Sequence, residues 1–231
     1  MRRLLLVWLV LAAFAGATPA ARAAAGCAAG GAAPPAETAH RQVADLDGDG
    51  VADTLWVGRF QDGTGRVNRV VGVTTASGAN SDVQISSASP IGLTALAIDA
   101  QNDGGNQIIV SDGRGARLYT FADCRLHNVI DAHDGRPFLF DLQNLRDQGT
   151  GVGCGDLGPP SVGRHLLALQ ALQNDGRWTV RRTEVDVTGT RASTGKSDTV
   201  MATSAEDPAV TSAETISCGK LTISKDGVQQ P

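Results

Sequence analysis

Apolar residues in this chain come in short runs separated by glycine-rich polar stretches. TLWV (54–57), IIV (108–110) and LLALQALQ (166–173) are three such runs, and each is followed by an Asp-Gly pair: Asp62-Gly63, Asp112-Gly113 and Asp175-Gly176. Asp-Gly between apolar runs signals a tight hairpin, because both turn positions tolerate φ > 0. RVNRVVGVTT (66–75), ARLYTFADC (116–124) and RWTVRRTEVDVTG (177–189) come next and have the β-branched, aromatic character of strands. The pattern predicts an all-β fold. Helix propensity disagrees at LLALQALQ, where alignment with the other runs favours a strand, and at 138–148, FLFDLQNLRDQ, which is left open as a short helix or an outer strand.

The runs belong to a repeat. Asp45–Val57 reads DLDGDGVADTLWV, Asp99–Ser111 reads DAQNDGGNQIIVS and Asp156–Ala168 reads DLGPPSVGRHLLA. Each opens on Asp and ends in an apolar strand, and the starts are spaced by 54 and 57 residues. A period of about 55 residues marks stacked supersecondary units. Units beginning near residues 40, 92 and 150, each of about four strands, suggest a propeller-like array. A cut-down fourth unit is expected near residue 214, where Cys218-Gly219-Lys220-Leu221 echoes Cys154-Gly155-Asp156-Leu157. Bare sheet edges invite pairing with other chains, which favours a small closed ring over an open arc.

The first loop carries candidate chemistry. Counted from Asp45, carboxylates stand at positions 1, 3, 5 and 9 (Asp45, Asp47, Asp49, Asp53), Gly50 is at 6 and the Val51 carbonyl at 7. That is the oxygen-ligand order of a calcium loop, with glycine at the sharp midpoint. Mg²⁺ fits less well, since it retains waters in rigid octahedral geometry. An EF-hand is excluded by Trp56 at position 12 and by the strand-like exit, and a dockerin loop fails for similar reasons. The second loop keeps Asp99 and Asp103 but has Gln101 and Gln107, and the third is interrupted by Pro159-Pro160, so neither is expected to hold calcium well.

DLDGDGVADTLWV, with its weaker echoes at Asp99 and Asp156, resembles the FG-GAP/VCBS repeats of integrin-α-like β-propellers and of many bacterial exported proteins. The resemblance spans roughly residues 40–221. It implies a propeller blade with Ca²⁺ in the loop between its first two strands, and a non-catalytic role in adhesion or in binding an extracellular protein or glycan.

The ends and the charge agree with export. Arg2 and Arg3, the apolar run 4–17 and Ala21-Arg22-Ala23 form a signal peptide over residues 1–23. No second run is long enough to span a membrane. Residues 24–39, rich in Ala, Gly and Pro, read as a flexible lead-in to a domain over 40–231. Ala24-Ala25-Gly26-Cys27 resembles a bacterial lipobox, which makes a lipid anchor at Cys27 and a cell-surface location the alternative to secretion. Without the signal the chain has 17 basic and 24 acidic side chains, a net charge of −7. That excludes nucleic acid and anionic lipid as natural partners. Cys27, Cys124, Cys154 and Cys218 suit up to two disulfides among three pairings, with Cys124–Cys154 favoured as a link between neighbouring units.

Other motifs are weaker. Gly153–Gly158 fits a dinucleotide fingerprint, but Pro159-Pro160 stands where its helix must start. His127, Asp131, His133 and Asp134 are the best acid/base set and support an alternative reading as a small extracellular hydrolase. A structural, wall-associated spacer is the third reading. His165 reads as a surface or capping residue, and Trp56, Tyr119 and Trp178 as packing between units.

Overall fold

The computed structural model of the protein describes residues 26–145, 147–159 and 163–231. Three antiparallel meanders follow one another along the chain. The first contains β1 (Glu37–Gln42), β2 (Thr54–Gln61), β3 (Val67–Thr74) and β4 (Asn80–Ile85), paired in that order. The second contains β5 (Thr94–Ile98), β6 (Gln107–Ser111), β7 (Gly115–Ala122) and β8 (Arg125–Asn128). Three short strands follow: β9 (Ile130–Asp131), β10 (Leu139–Asp141) and β11 (Asn144–Leu145). The third meander contains β12 (Gln148–Gly155), β13 (His165–Asn174), β14 (Arg177–Thr188) and β15 (Arg191–Ala202). Segment 166–173 is therefore strand, and the described residues of 138–148 supply β10, β11 and the first residue of β12, with no helix.

The three acidic segments occupy one topological position, between the first and second strands of each meander. The three Asp-Gly pairs occupy another, the hairpin between the second and third strands. Gly63 aside, each of those glycines has φ near 80°, as does Gly65 in the first hairpin. This is the conformation that such turns demand.

After β15 the chain forms a short helix α1 (Pro208–Ser212), a two-residue hairpin of β16 (Ser217–Cys218) and β17 (Leu221–Thr222), a single turn α2 (Ile223–Asp226), and β18 (Val228–Gln229). The expected fourth unit is thus replaced by a cap. α1 lays Val210 and Ala213 against Leu169, Trp178 and Val180 of the third sheet, and β18 adds to the edge of the second sheet beside β5. The echo of CGKL with CGDL misleads because no apolar runs follow it to build four strands.

Burial follows the stacking. One apolar cluster joins the first and second sheets through Leu55, Val57, Val71, Ile108, Val110 and Tyr119. A second joins the second and third through Leu96, Ile109, Leu118, Val152, Leu166 and Val185. The second sheet is therefore buried on both faces, which is why β6 reads as the unbroken apolar run IIV. No cluster joins the first sheet to the third among the described residues, so the contact that ring closure requires is not among those observed. Trp56 on β2, and Tyr119 and Trp178 on the third strands of their meanders, are all buried. Trp56 covers its own sheet: a Cβ on Gly72, its cross-strand neighbour, would come within 2.2 Å of the indole.

Disulfides join Cys27 to Cys124 and Cys154 to Cys218. The favoured Cys124–Cys154 pairing does not form, because the two cysteines serve opposite faces of the second sheet. Cys27 belongs to the cluster on one side, Cys154 and Cys218 to that on the other. Two expectations fall with it. Residues 26–36 are no free lead-in: Cys27 is buried, Gly30 bridges Ala79 and β1 begins at Glu37. Composition misleads there because a disulfide and backbone bonds, rather than apolar side chains, hold the segment. Nor can the Cys27 sulfur carry a lipid thioether while it is bonded to Cys124. The signal segment 1–23 lies outside the described residues, and no described helix is long and apolar enough to cross a membrane.

Candidate metal centre

The first acidic loop leaves β1 and must turn back into β2 within eleven residues. Gly48 and Gly50 make the reversal with φ of 79° and 87°. Carboxylates organise the rest. Asp45 accepts the Gly48 and Gly50 N–H groups at 2.7 Å each. Asp49 accepts Val51 N–H at 2.7 Å, and Asp47 accepts Cys27 N–H at 2.8 Å, which ties the N-terminal segment to the loop. Burial opposes the charge of Asp45, but four backbone amides, led by Gly50 and Gly48, together hold its carboxyl below the usual range.

Asp45, Asp47 and Asp49 each bring a carboxylate oxygen within 4.8 Å of the other two. No basic side chain pairs with any of them among the described residues. Three negative charges so placed repel one another unless a cation enters, and an all-oxygen set suits a hard divalent ion. Val51 sits half exposed at the loop rim, where its carbonyl follows the Asp49 turn.

Asp53 is not brought into this group. It is 1 % exposed and spends one oxygen on Leu46 N–H at 2.7 Å and the other on Ala76 N–H at 2.8 Å. It closes the loop and clamps it to the β3–β4 turn. Burial pushes its pKa up, the two amides pull it down, and the Asp47 and Asp45 charges add to a net rise. The second loop shows the same role with different chemistry. Gln107, at the equivalent position, is buried and accepts Ala100 N–H at 3.0 Å. The backbone repeats as well: Asn102 and Gly104 match Gly48 and Gly50 in positive φ, and Asp99 accepts Asp103 and Gly104 N–H groups.

The later loops hold side-chain cations. Arg164 donates to Asn102 Oδ1 in the second loop at 2.8 Å. Lys196 Nζ donates to the carbonyls of Gly158 and Pro159 in the third at 3.1 and 2.8 Å. Beside the first two loops lies an open cleft of about 520 Å³ whose walls include Leu46, Asp99, Asn102, Asn106, Arg41 and Arg164. Asn106 also donates to the Asp45 carbonyl at 3.1 Å, so one cleft wall is anchored to the acidic loop.

The hydrolase candidates do not converge. His127 Nε2 engages the Ala122 carbonyl, Asp131 accepts His133 N–H, and Asp134 accepts Arg136 N–H, all as turn and strand-end bonds. His127 and Asp131 line separate depressions. A second group, which sequence spacing did not signal, joins His165, Glu184 and Asp186 from β13 and β14. Its only sequence trace is the alternation of Glu184 and Asp186, which places both on one strand face.

These features define an all-β protein of three stacked antiparallel meanders, with an acidic loop entering the second strand of the first. No protein-family model matches the chain, and neither a curated protein nor a solved structure does.

Proposed function

We propose that this is an exported, calcium-braced, non-catalytic recognition or adhesion domain of FG-GAP/VCBS type, with its meanders acting as propeller-like blades. The carrying observation is the convergence of the Asp45, Asp47 and Asp49 carboxylates in a loop that no basic side chain among the described residues neutralises. Ca²⁺ at that point would remove the repulsion and relieve the charge on Asp53 behind it. Two disulfides suit an oxidising compartment outside the cell. The ion would stiffen one wall of the Arg41–Arg164 cleft, which is where an extracellular partner would be read. Every described aromatic ring is buried or half-buried, so a glycan would be held there by hydrogen bonds and charge rather than by stacking, and a protein partner is the better fit.

Calcium titration and thermal unfolding test this reading. Extracellular loops bind calcium with Kd about 10⁻⁴–10⁻³ M. At about 1 mM calcium and a Kd of about 0.1 mM, linkage gives about 1.4 kcal/mol of stabilisation. For a domain of this size that is a Tm rise of about 3–6 °C. Asp49→Ala is expected to abolish the rise. Identical melts in calcium and in chelator would exclude the site.

A further inference from the structure

We infer a second metal site, for a divalent transition ion such as zinc, formed by His165, Glu184 and Asp186 on the third sheet. Each residue offers one ligand atom, and these atoms lie within 4.8 Å of one another. His165 opens β13 beside the Leu166–Val185 pair, and Glu184 and Asp186 project from the same face of β14. His165 Nδ1 and Asp186 Oδ1 are 3.2 Å apart. Two ligands of tetrahedral zinc, each about 2.0–2.1 Å from the metal, stand about 3.3 Å from one another. The remaining separations close by side-chain rotation.

Glu184 supplies the independent evidence. It is 3 % exposed, and its Oε1 is the one fully buried side-chain polar atom among the described residues that accepts no hydrogen bond. Among the described residues its other oxygen takes only the Lys196 backbone N–H, at 3.2 Å. No ion pair compensates the carboxylate among the described residues, and the ammonium of Lys196 is held by Gly158 and Pro159. A buried carboxylate left this way is costly unless something positive sits beside it. A divalent cation between Glu184 and Asp186 balances both charges and gives Oε1 its missing partner.

The backbone is shaped around the same point. Pairing of β14 with β15 slips between Thr183 and Val185, so Glu184 faces both Gly195 and Lys196 across a bulge. Bulges re-aim side chains in this way. A Cβ at Gly195 would lie 2.8 Å from Asp186 Oδ2 and 3.2 Å from Glu184 Oε2, so a larger residue there would push the carboxylates from these positions. Gly195 is exposed, which gives an ion a route in and leaves coordination positions for water or for a donor from a partner. One imidazole and two carboxylates favour zinc or a neighbouring first-row ion over calcium, whose sites are all oxygen.

The test is zinc titration of tag-free, chelator-treated full chain in 1 mM calcium, by competition with a chromophoric chelator. One zinc per chain is expected, with at least tenfold weaker binding for His165→Ala and for Glu184→Gln and unchanged binding for Asp49→Ala. Cobalt(II) in place of zinc should give tetrahedral d–d bands that His165→Ala removes. Asp186→Asn, altered at a half-exposed position, serves if Glu184→Gln fails to fold. Zinc binding equal in all these variants, or no binding tighter than that of a His165→Ala/Asp186→Asn double variant, would overturn the assignment.

Discussion

Replacing Asp53 separates two roles that its place in the acidic loop leaves confounded: ligand and loop closure. Its oxygens satisfy Leu46 N–H, in a fully buried bond, and Ala76 N–H, in a partly buried one. Asp53→Ala orphans both donors. Hydrogen bonds to a charged acceptor contribute about 1.5–3 kcal/mol each, and a buried unsatisfied donor costs about 1–3 kcal/mol. Relief of the desolvated charge, whose pKa is pushed up by burial, offsets part of this. A net loss of about 4 kcal/mol follows. Asp53→Asn keeps one acceptor and turns an NH₂ group toward the other amide, and should lose about 2 kcal/mol. With each kcal/mol worth about 2–4 °C at this size, Tm should fall by about 8–16 °C for Ala and about 4–8 °C for Asn.

The assay is thermal unfolding in chelator, where no calcium term contributes. The closing role predicts that nearly the whole loss appears there, with calcium affinity of the folded Asn variant changed little. A ligand role predicts the reverse: wild-type melting in chelator and loss of the calcium-dependent increment alone. That second result would refute the reasoning. The second loop already contains a version of the experiment, since Gln107 closes it with a single neutral oxygen on Ala100 N–H.

Two further predictions concern stability. Asp62 is held down to about 2 by Thr64 and Asn68, and Asp112 and Asp207 are also lowered, in the β6–β7 hairpin and at the α1 N-cap. Depressed carboxylates stabilise the fold above their unfolded pKa of about 3.9 and lose that contribution as pH falls toward the folded value. Tm should therefore be flat above about pH 5 and drop between about pH 4 and 2, with Asp62→Asn flattening part of the drop; Asp53, raised instead, acts in the opposite sense. Opening the Cys154–Cys218 bond, which spans 64 residues, should cost about 4 kcal/mol in the chain-entropy account, and opening Cys27–Cys124, which spans 97, about 4.7 kcal/mol. Denaturant unfolding of Cys→Ser pairs measures both.

The meanders were legible because strands that bury one or both faces must write that burial into their residues, and because Asp-Gly marks a turn wherever it falls. The same local signals located the acidic loops between first and second strands. Contacts made across the stack left no such trace. Cysteine pairing depended on which face of the second sheet each sulfur serves, and residues 26–36 are held by bonds whose partners, Asp47, Ser77 and Ala79, are distant in sequence. Position 9 of the loop read as a ligand because carboxylate spacing cannot distinguish an oxygen aimed at an ion from one aimed at Ala76 N–H. The His165 group needed the β13–β14 register and a bulge on β15, neither of which is encoded locally.

The three copies of the loop dispose of negative charge in different ways, and this bears on where an ion belongs. In the third, one carboxylate remains, Asp156, and Lys196 places an ammonium against the loop carbonyls. In the second, Asp99 and Asp103 remain, the side chains at the other two acidic positions are neutral amides, and Arg164 approaches through Asn102. In both, a side-chain cation is tethered to the loop, and the entropy cost of placing it is met once, on folding. Among the described residues the first loop alone retains three converging carboxylates, and only backbone N–H groups answer them. Amide dipoles orient those charges without neutralising them. A loop whose sister copies are each approached by a basic side chain, and which has none among the described residues, is the one in which the proposed Ca²⁺ would supply the missing positive charge.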